Sequence, residues 1–442
     1  MLKSIRIQNF KSYKDATFEL SPFTVLIGAN ASGKSNAIEA LRFLSILAKG
    51  QKLSSLPYST FNKEGGIRGK ISNLMYQDSS ECSFLCNFDD CDYDNLELTL
   101  SLLDEELHIL NESVSSSKRK IPLYKIKERS GGVYASDVVV SYDNFTRGSK
   151  KNLINCSDQM TIFSQLTTSA PFQEKYEKSK EIIPNVCKTI EKTLDSFIFL
   201  DPVPAKMRSY CARDRALTEN GGNLSGVIYN LTRNPAAYTR EERKKNKKDI
   251  LDFIKNLPEQ NFTGLFSIKE PRGESIVSLK ESFGGEGKEY DASLLSDGTL
   301  RVLAIAVALL SSPEYSTVVI EELDNGIHPS RAKTLLSKIN EVAQKRHLKI
   351  LITTHNPTLL DALPDEIVSD CVFCYRDPVD GSSKLRKISD LPNYFDLLVQ
   401  GSLGDLLVSN RINDFVKKNL ANNGKSESAY SWLAKLKSEI KG

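Results

Sequence analysis

Hydrophobic rhythm divides the chain into stretches of different kind. "MLKSIRIQNF" starts at once as a strand, with Ile5 and Ile7 alternating against polar neighbours. The first fifty residues read strand, strand, strand, then a helix over 35–49, apolar at Ile38, Leu41, Phe43, Leu44, Ile46 and Leu47. From about Ser83 to Ser141 the period becomes two, broken by turn signals, in "LELTLSLL", "ELHIL" and "LYKIKERSGGVYAS". That pattern predicts an antiparallel meander. Residues 160–257 read as mostly helical, punctuated by "FIFLDPVP", and "FSIKEPRGESIVSLKES" reads as a hairpin. In "LLSDGTLRVLAIAVALL" a polar turn runs straight into a helix apolar nearly all round, so Leu300, Val302, Leu303, Ile305, Val307, Leu309 and Leu310 must be buried. Ser296 and Thr299 are natural caps for its free N–H groups. Strand Thr317–Ile320, helix Pro329–Arg346 and strand Lys349–Thr353 follow, an order that implies a parallel sheet. Past His355 come one more hairpin, "VFCYRDPVDGSSKLRKI", and some helices.

These elements predict an α/β fold with a parallel core sheet, an antiparallel β lobe and an inserted helical region. The boundaries fall at 1–158 (first half of the core and the meander), 159–260 (helical insert) and 261–442 (second half of the core, hairpin and C-terminal helices). No heptad seam is visible, and Pro184 argues against a long coiled coil. At 442 residues the chain is long enough for a large core, and 40% hydrophobic with 26% charged residues is ordinary for a globular protein. The 59 basic residues nearly balance 56 acidic ones, so the chain as a whole has no strong nucleic-acid footprint. The longest apolar run, Val302 to Leu310, is half a membrane span, and no targeting segment is seen. The expectation is a cytoplasmic protein with no membrane partner.

Eight cysteines invite a metal reading. Cys82 and Cys86 alternate with Phe84 and Phe88, which puts them on one face of a strand as buried thiols. Cys371 and Cys374 have zinc-like spacing but no second Cys or His pair nearby. Of the four histidines, His108 and His347 read as surface residues, and His328 as part of a helix start ahead of Pro329.

The strongest chemical signal is "FTVLIGANASGKSNAIEAL", an apolar strand, a glycine-rich turn and a helix. Gly28 and Gly33 frame a phosphate-binding loop whose successive N–H groups make an anion nest. Lys34 would neutralise phosphate oxygens, and Ser35 would hold Mg²⁺. "STVVIEELDNG" supplies an apolar strand ending in Glu321 and Glu322. Alone, that is an ordinary strand end meeting solvent; its place between the capped turn and "TTHNP" argues for chemistry. Glu321 would then serve the metal, while Glu322 polarises a water for in-line attack. A lone histidine is commonly a satisfied loop residue. His355, just past a buried strand in this series, reads instead as a γ-phosphate or water contact.

These parts, in this order, resemble the ATP-binding-cassette ATPases, and within them the non-transporter branch of RecF, SMC-like heads and overcoming-lysogenization-defect proteins. The likeness rests on "GANASGKS", "LLSDGTLR", "VVIEE", "LDNG", "TTHNP" and the opening "IRIQNFKSY", across 1–50 and 260–360. It implies an ABC-type P-loop ATPase head that binds ATP and Mg²⁺. It implies nucleotide contacts from Gly28, Asn30, Gly33, Lys34, Ser35, Asn36, Lys11 and Ser12, and metal contacts from Ser35, Glu321 and a Q-loop glutamine, taken as Gln165 over Gln77. Glu322 and His355 become the catalytic residues and Asp324 and Asn325 the D-loop. Ser296, Gly298 and Thr299 become a signature that meets the γ-phosphate held by a second protomer, so ATP glues a homodimer or a higher oligomer. Glu321 stands where the family usually has Asp, and Asp297 where many transporter heads have Gly; slow hydrolysis is consistent with both.

The function implied is a switch in DNA repair or anti-phage defence that controls an effector, a nuclease or toxin, from another chain, since the 356–442 segment shows no acidic nuclease cluster. A transporter ATPase subunit and an ATP-glued scaffold with little turnover are the alternatives. For "REERKKNKK" the sequence favours a solvated face, with Glu241 and Glu242 pairing basic neighbours, over a stripe that tracks DNA phosphates.

Overall fold

The computed structural model describes residues 1–89, 91–130, 137–146, 151–255, 261–270, 273–283, 285–325, 328–391 and 399–416. In chain order the strands are β1 (Leu2–Phe10), β2 (Tyr13–Glu19), β3 (Phe23–Ile27), β4 (Glu81–Phe88), β5 (Asn95–Leu103), β6 (Glu106–Ser116), β7 (Arg119–Ser130), β8 (Asp137–Tyr142) and β9 (Asn152–Ser157). There follow β10 (Phe197–Leu200), β11 (Phe262–Lys269), β12 (Ser275–Glu281), β13 (Lys288–Asp291), β14 (Thr317–Ile320), β15 (Lys349–Thr353), β16 (Cys371–Arg376) and β17 (Ser383–Lys387). One sheet has the order β10-β14-β15-β3-β16-β17 and is parallel except for the β16–β17 hairpin. The second is antiparallel, in the order β2-β1-β4-β5-β6-β7-β8-β9, and contains the expected meander. A third, β11-β12-β13, extends the expected hairpin by one strand.

The mostly parallel sheet is apolar on both faces, as a sheet covered by helices on each side must be. Alternate residues therefore enter different cores. Val25 and Ile27 of β3, Val318 and Ile320 of β14, and Ile350 and Ile352 of β15 join one core, while Leu26, Val319 and Leu351 join the other. Helix Lys34–Ala48 packs in the core shared with the antiparallel sheet. Helix Asp297–Ser311 packs in the opposite core, with Leu300, Val302, Leu303, Ile305, Val307 and Leu309 buried as expected. Leu310, expected to be buried too, is only half-buried at the helix end. The phosphate-loop helix and the capped helix thus lie on opposite faces of one sheet.

Two expectations are corrected. The 159–260 stretch is not a helical region apart: "FIFL" is β10, an edge strand of the central sheet, parallel to β14. Four apolar residues are too short a run to show a period, so they read as punctuation. The helices of this stretch are shared out, Glu177–Asp195 packing on the phosphate-loop helix and Arg240–Lys255 on the capped helix. His108 is buried rather than at the surface, with Nδ1 2.8 Å from the fully buried Asp158 carboxylate. The turn after β9 closes over it: Ile109 N donates to Asp158 O and Gln159 Nε2 to Leu107 O. His347 is exposed, stacked on Tyr315, and His328 caps helix Pro329–Lys345 by accepting from Ser330 N, both as expected. Cys82, Cys86, Cys371 and Cys374 are buried; burial pushes the Cys82 and Cys86 thiols up to about 12. Short helices follow His355 as expected, at Pro357–Asp361, Asp365–Val368 and Leu403–Val408; Gly326 of "LDNG" and residues 417–442 lie outside the described residues.

Candidate nucleotide site and signature turn

β3 ends at Ile27 and the chain turns through 28–33 into helix Lys34–Ala48. Gly28 has φ +149° and Gly33 φ +122°, and each also faces another strand closely. A Cβ on Gly28 would lie 2.3 Å from the Cys374 carbonyl, and one on Gly33 would lie 2.3 Å from Ser383 Oγ. The loop is therefore held from outside by the C-terminal hairpin. Ser383 Oγ donates to Ser32 O at 2.6 Å, Arg376 Nε to Ala31 O at 3.1 Å, and Tyr13 OH to Gly33 O at 3.0 Å. Lys34 Nζ donates to Gly28 O at 2.6 Å and Ala29 O at 3.0 Å, so its ammonium lies over its own loop. Burial lowers its pKa, opposed by Cys374, Glu322 and Asp324. Ser35, Ala29 and Asn30 are exposed at the mouth of the loop. Asn36 Nδ2 donates to Ser12 Oγ at 2.7 Å, which places Ser12 beside the loop.

A pocket of about 470 Å³ opens against Gly28, Asn30 and Ser32 on one side and His355 and Arg376 on another. The ends of β14 and β15 are stitched together at its rim. Glu322 N donates to Thr353 Oγ1 at 2.9 Å, and Thr354 Oγ1 donates to Asp324 Oδ1 at 2.7 Å. The exposed Glu322 carboxylate accepts from Asn325 Nδ2 at 2.6 Å, and Glu322 itself takes φ +47°. Lys34 lies within electrostatic reach of Glu322 and Asp324, and His355 lines the pocket with Gly28, Asn30 and Ser32.

Glu321 turns to Arg42. The guanidinium donates to Glu321 Oε1 at 3.2 Å and grips Glu219 through both Nη atoms at 2.5 and 2.8 Å, while stacking on Phe199. Burial, with Glu219 and Asp201 nearby, pushes the Glu321 carboxyl above the ordinary range against the pull of Arg42. Arg42 stands in the third turn of helix Lys34–Ala48, and its guanidinium meets the Glu321 carboxylate. Asp201, next in line after β10, faces the same cluster.

Two expected residues are placed elsewhere. Lys11 Nζ is bound to the buried Glu39 and to Arg68 O, so its charge is already matched inside the protein. Gln165 donates to Ser157 O and Met160 O, both at 2.8 Å, and accepts from Ser157 N. Its turn packs where helix Lys34–Ala48 ends, since Leu53 N donates to Gln159 O and Met160 lies beside Gly50. Ser35 lies at the other end of this fifteen-residue helix, about 20 Å away at 1.5 Å per residue. Gln165 is thus no metal ligand in this arrangement. Gln77 is exposed.

At the other helix, Ser296 Oγ accepts from Thr299 N at 3.2 Å and lies 2.7 Å from Thr299 Oγ1, the expected cap. Ser296 and Asp297 are exposed. Sequence reasoning missed Arg208, whose guanidinium meets Asp297 and three carbonyls of this turn. It missed Tyr13, Ser383 and Arg376 too, for which no local pattern exists. Arg42 did leave a signal: a charged residue inside an apolar helix stripe needs a buried partner. On helix Arg240–Lys255, Glu242 accepts from Thr239 N and Oγ1 at 2.8 Å, so it caps the helix rather than pairing a basic neighbour.

A family described as "AAA domain, putative AbiEii toxin, Type IV TA system" matches residues 23–361. The chain belongs to this family. Among relatives, a "DNA double-strand break repair Rad50 ATPase" of Methanococcus maripaludis is 25% identical over 59% of this chain and 26% of that protein. The chain thus spans about a quarter of that relative, and 16% of a "Chromosome partition protein Smc" of Methanocaldococcus jannaschii. A "Retron Vc95 probable ATPase" of Vibrio cholerae is 21% identical over 83% of this chain and 72% of that one. A crystal structure of an SMC head bound to the C-winged helix domain of ScpA aligns with TM-score 0.48 and 14% identity, over 87% of this chain and 97% of that one. Among the described residues no helix is long and apolar enough to cross a membrane.

Proposed function

We propose that the chain binds and hydrolyses ATP with Mg²⁺, that two copies close around the nucleotide, and that this closure is a switch in DNA repair or anti-phage defence acting on a separate effector such as a nuclease. The observation that carries the reading is the placement of the two helix starts. The phosphate loop and the signature turn begin helices packed on opposite faces of one sheet, so the exposed Ser296, beside the half-buried Gly298, is available to a nucleotide held by another copy. Thr299, expected there too, is fully buried and serves the turn by bonding Ser296. In this reading Gly28, Asn30, Gly33 and Asn36 shape the cradle, and Lys34 leaves its loop carbonyls for phosphate oxygens. Ser35 holds the metal, joined by Glu321 once its carboxylate leaves Arg42, Glu322 polarises water, and His355 lines the γ-phosphate side. Asp324 and Asn325 tie the strand ends together at the joint. The names of the Rad50 and retron relatives support the choice of setting.

The assignment of the two acids is tested with Glu322→Gln. It should bind ATP·Mg²⁺ and accumulate as a dimer on size-exclusion chromatography, since only the water-polarising group is lost. A variant that stays unshifted where wild type shifts reverses the roles of Glu321 and Glu322.

A further inference from the structure

We propose that Arg208 is the positioning residue of the signature turn, and that it makes the turn usable by a phosphate by holding the turn's shape and cancelling the charge of Asp297. The inference rests on the trans-signature reading above and deepens it. Arg208 lies just past the short helix Pro204–Met207, in the connection between β10 and helix Leu224–Arg233, far in sequence from the turn it serves. One of its nitrogens, Nη1, donates to Leu295 O at 2.6 Å, Ser293 O at 3.1 Å and Ala292 O at 3.4 Å. The other, Nη2, donates to Asp297 Oδ1. One planar guanidinium therefore engages four oxygens of a six-residue turn, a geometry a lysine ammonium does not reproduce.

Electrostatics supply the reason. A helix N-terminus attracts anions through its free N–H groups and dipole. Asp297, 66% exposed in the first turn, places a full negative charge at that spot. A phosphate approaching Ser296 would meet like charge unless Asp297 is neutralised, and Arg208 is the cation bonded to it. The same connection carries Glu219, which grips Arg42 beside Glu321, so the segment that braces the signature also touches the phosphate-loop helix.

The test uses the Glu322→Gln chain, whose association with ATP·Mg²⁺ is followed by sedimentation velocity, with a fluorescent ATP analogue reporting binding to the protomer's own loop. Adding Arg208→Ala should weaken the ATP-dependent dimer at least about tenfold while the analogue still binds, since an uncancelled carboxylate repels the incoming phosphate. Adding Asp297→Gly as well should restore most of the lost association. If Arg208 instead touched the phosphate itself, or only held the fold, removing Asp297 would restore nothing, and the proposal falls. Undiminished association in Arg208→Ala also overturns it. If Glu322→Gln alone binds the analogue yet never associates, the trans reading fails first and takes this proposal with it.

Discussion

Gly28 shows how one position serves both the loop's shape and its packing. Its φ of +149° lies where only glycine rests without strain, and the Cys374 carbonyl fills the space a side chain would need. Gly28→Ala should therefore cost about 2 kcal/mol or more in chemical denaturation, before any nucleotide is added. An unchanged denaturation midpoint would mean that β16 yields freely and that the glycine is there for phosphate alone. Arg42 and Glu321 illustrate the converse. Arg42 is buried inside an apolar helix stripe, Glu321 is half-buried beside it, and their pairing gives each charge a partner.

At the level of elements, a second buried acid, besides Asp158 on His108, ties β6 to the segment after β9. Glu112, fully buried, accepts from Tyr124 OH at 2.7 Å and from Ile162 N and Phe163 N at 2.8 Å. These donors favour the carboxylate, but burial outweighs them and raises its pKa to about 7. A folded-state pKa above the unfolded value means that the folded protein binds more protons between pH 4.5 and 7. The group's contribution is whole below about pH 4.5 and is lost as pH rises through 7, a loss of order 3 kcal/mol. Glu112→Gln mimics the protonated form. The variant should gain on wild type in urea midpoint as pH goes from 5 to 8; a constant gap between them would show that Glu112 is ionised throughout.

At the scale of the whole molecule, the sheet separates the phosphate loop from the signature turn, the two halves of the composite site proposed above. Lys34→Ala disables the phosphate loop, and Ser296→Arg blocks the signature turn. In the proposed dimer each variant alone has both composite sites broken and should be inactive. In a mixed dimer one site pairs the two damaged halves and the other is intact. One-to-one mixing should thus recover about a quarter of wild-type ATPase if sites act independently. Coupling between sites would lower that figure. No recovery at all, with exchange of protomers confirmed by pull-down of differently tagged chains, would mean that the signature turn serves its own chain or only its own helix.

Much of this molecule was legible from local pattern. The glycine-framed loop, the acid-ended strand and the capped apolar helix each announce themselves because their physics is short-range: backbone freedom, strand alternation, N–H groups that need acceptors. Strands Thr317–Ile320 and Lys349–Thr353 could be read to the residue because buried parallel strands are unbroken apolar runs. What joins distant segments left little trace. That "FIFL" is a strand of the central sheet, that Ser383 and Arg376 hold the loop from the C-terminal hairpin, and that Arg208 braces a turn some ninety residues later depend on where the chain returns. Gln165 and Lys11 were misplaced for the same reason. A polar side chain bonds to whatever donor or acceptor folding brings beside it, and sequence spacing does not carry that neighbour's identity. The chemistry available was written in residue types and local spacing; which residues share one site, and which are spent holding it, was decided by the packing of two cores against the two faces of one sheet.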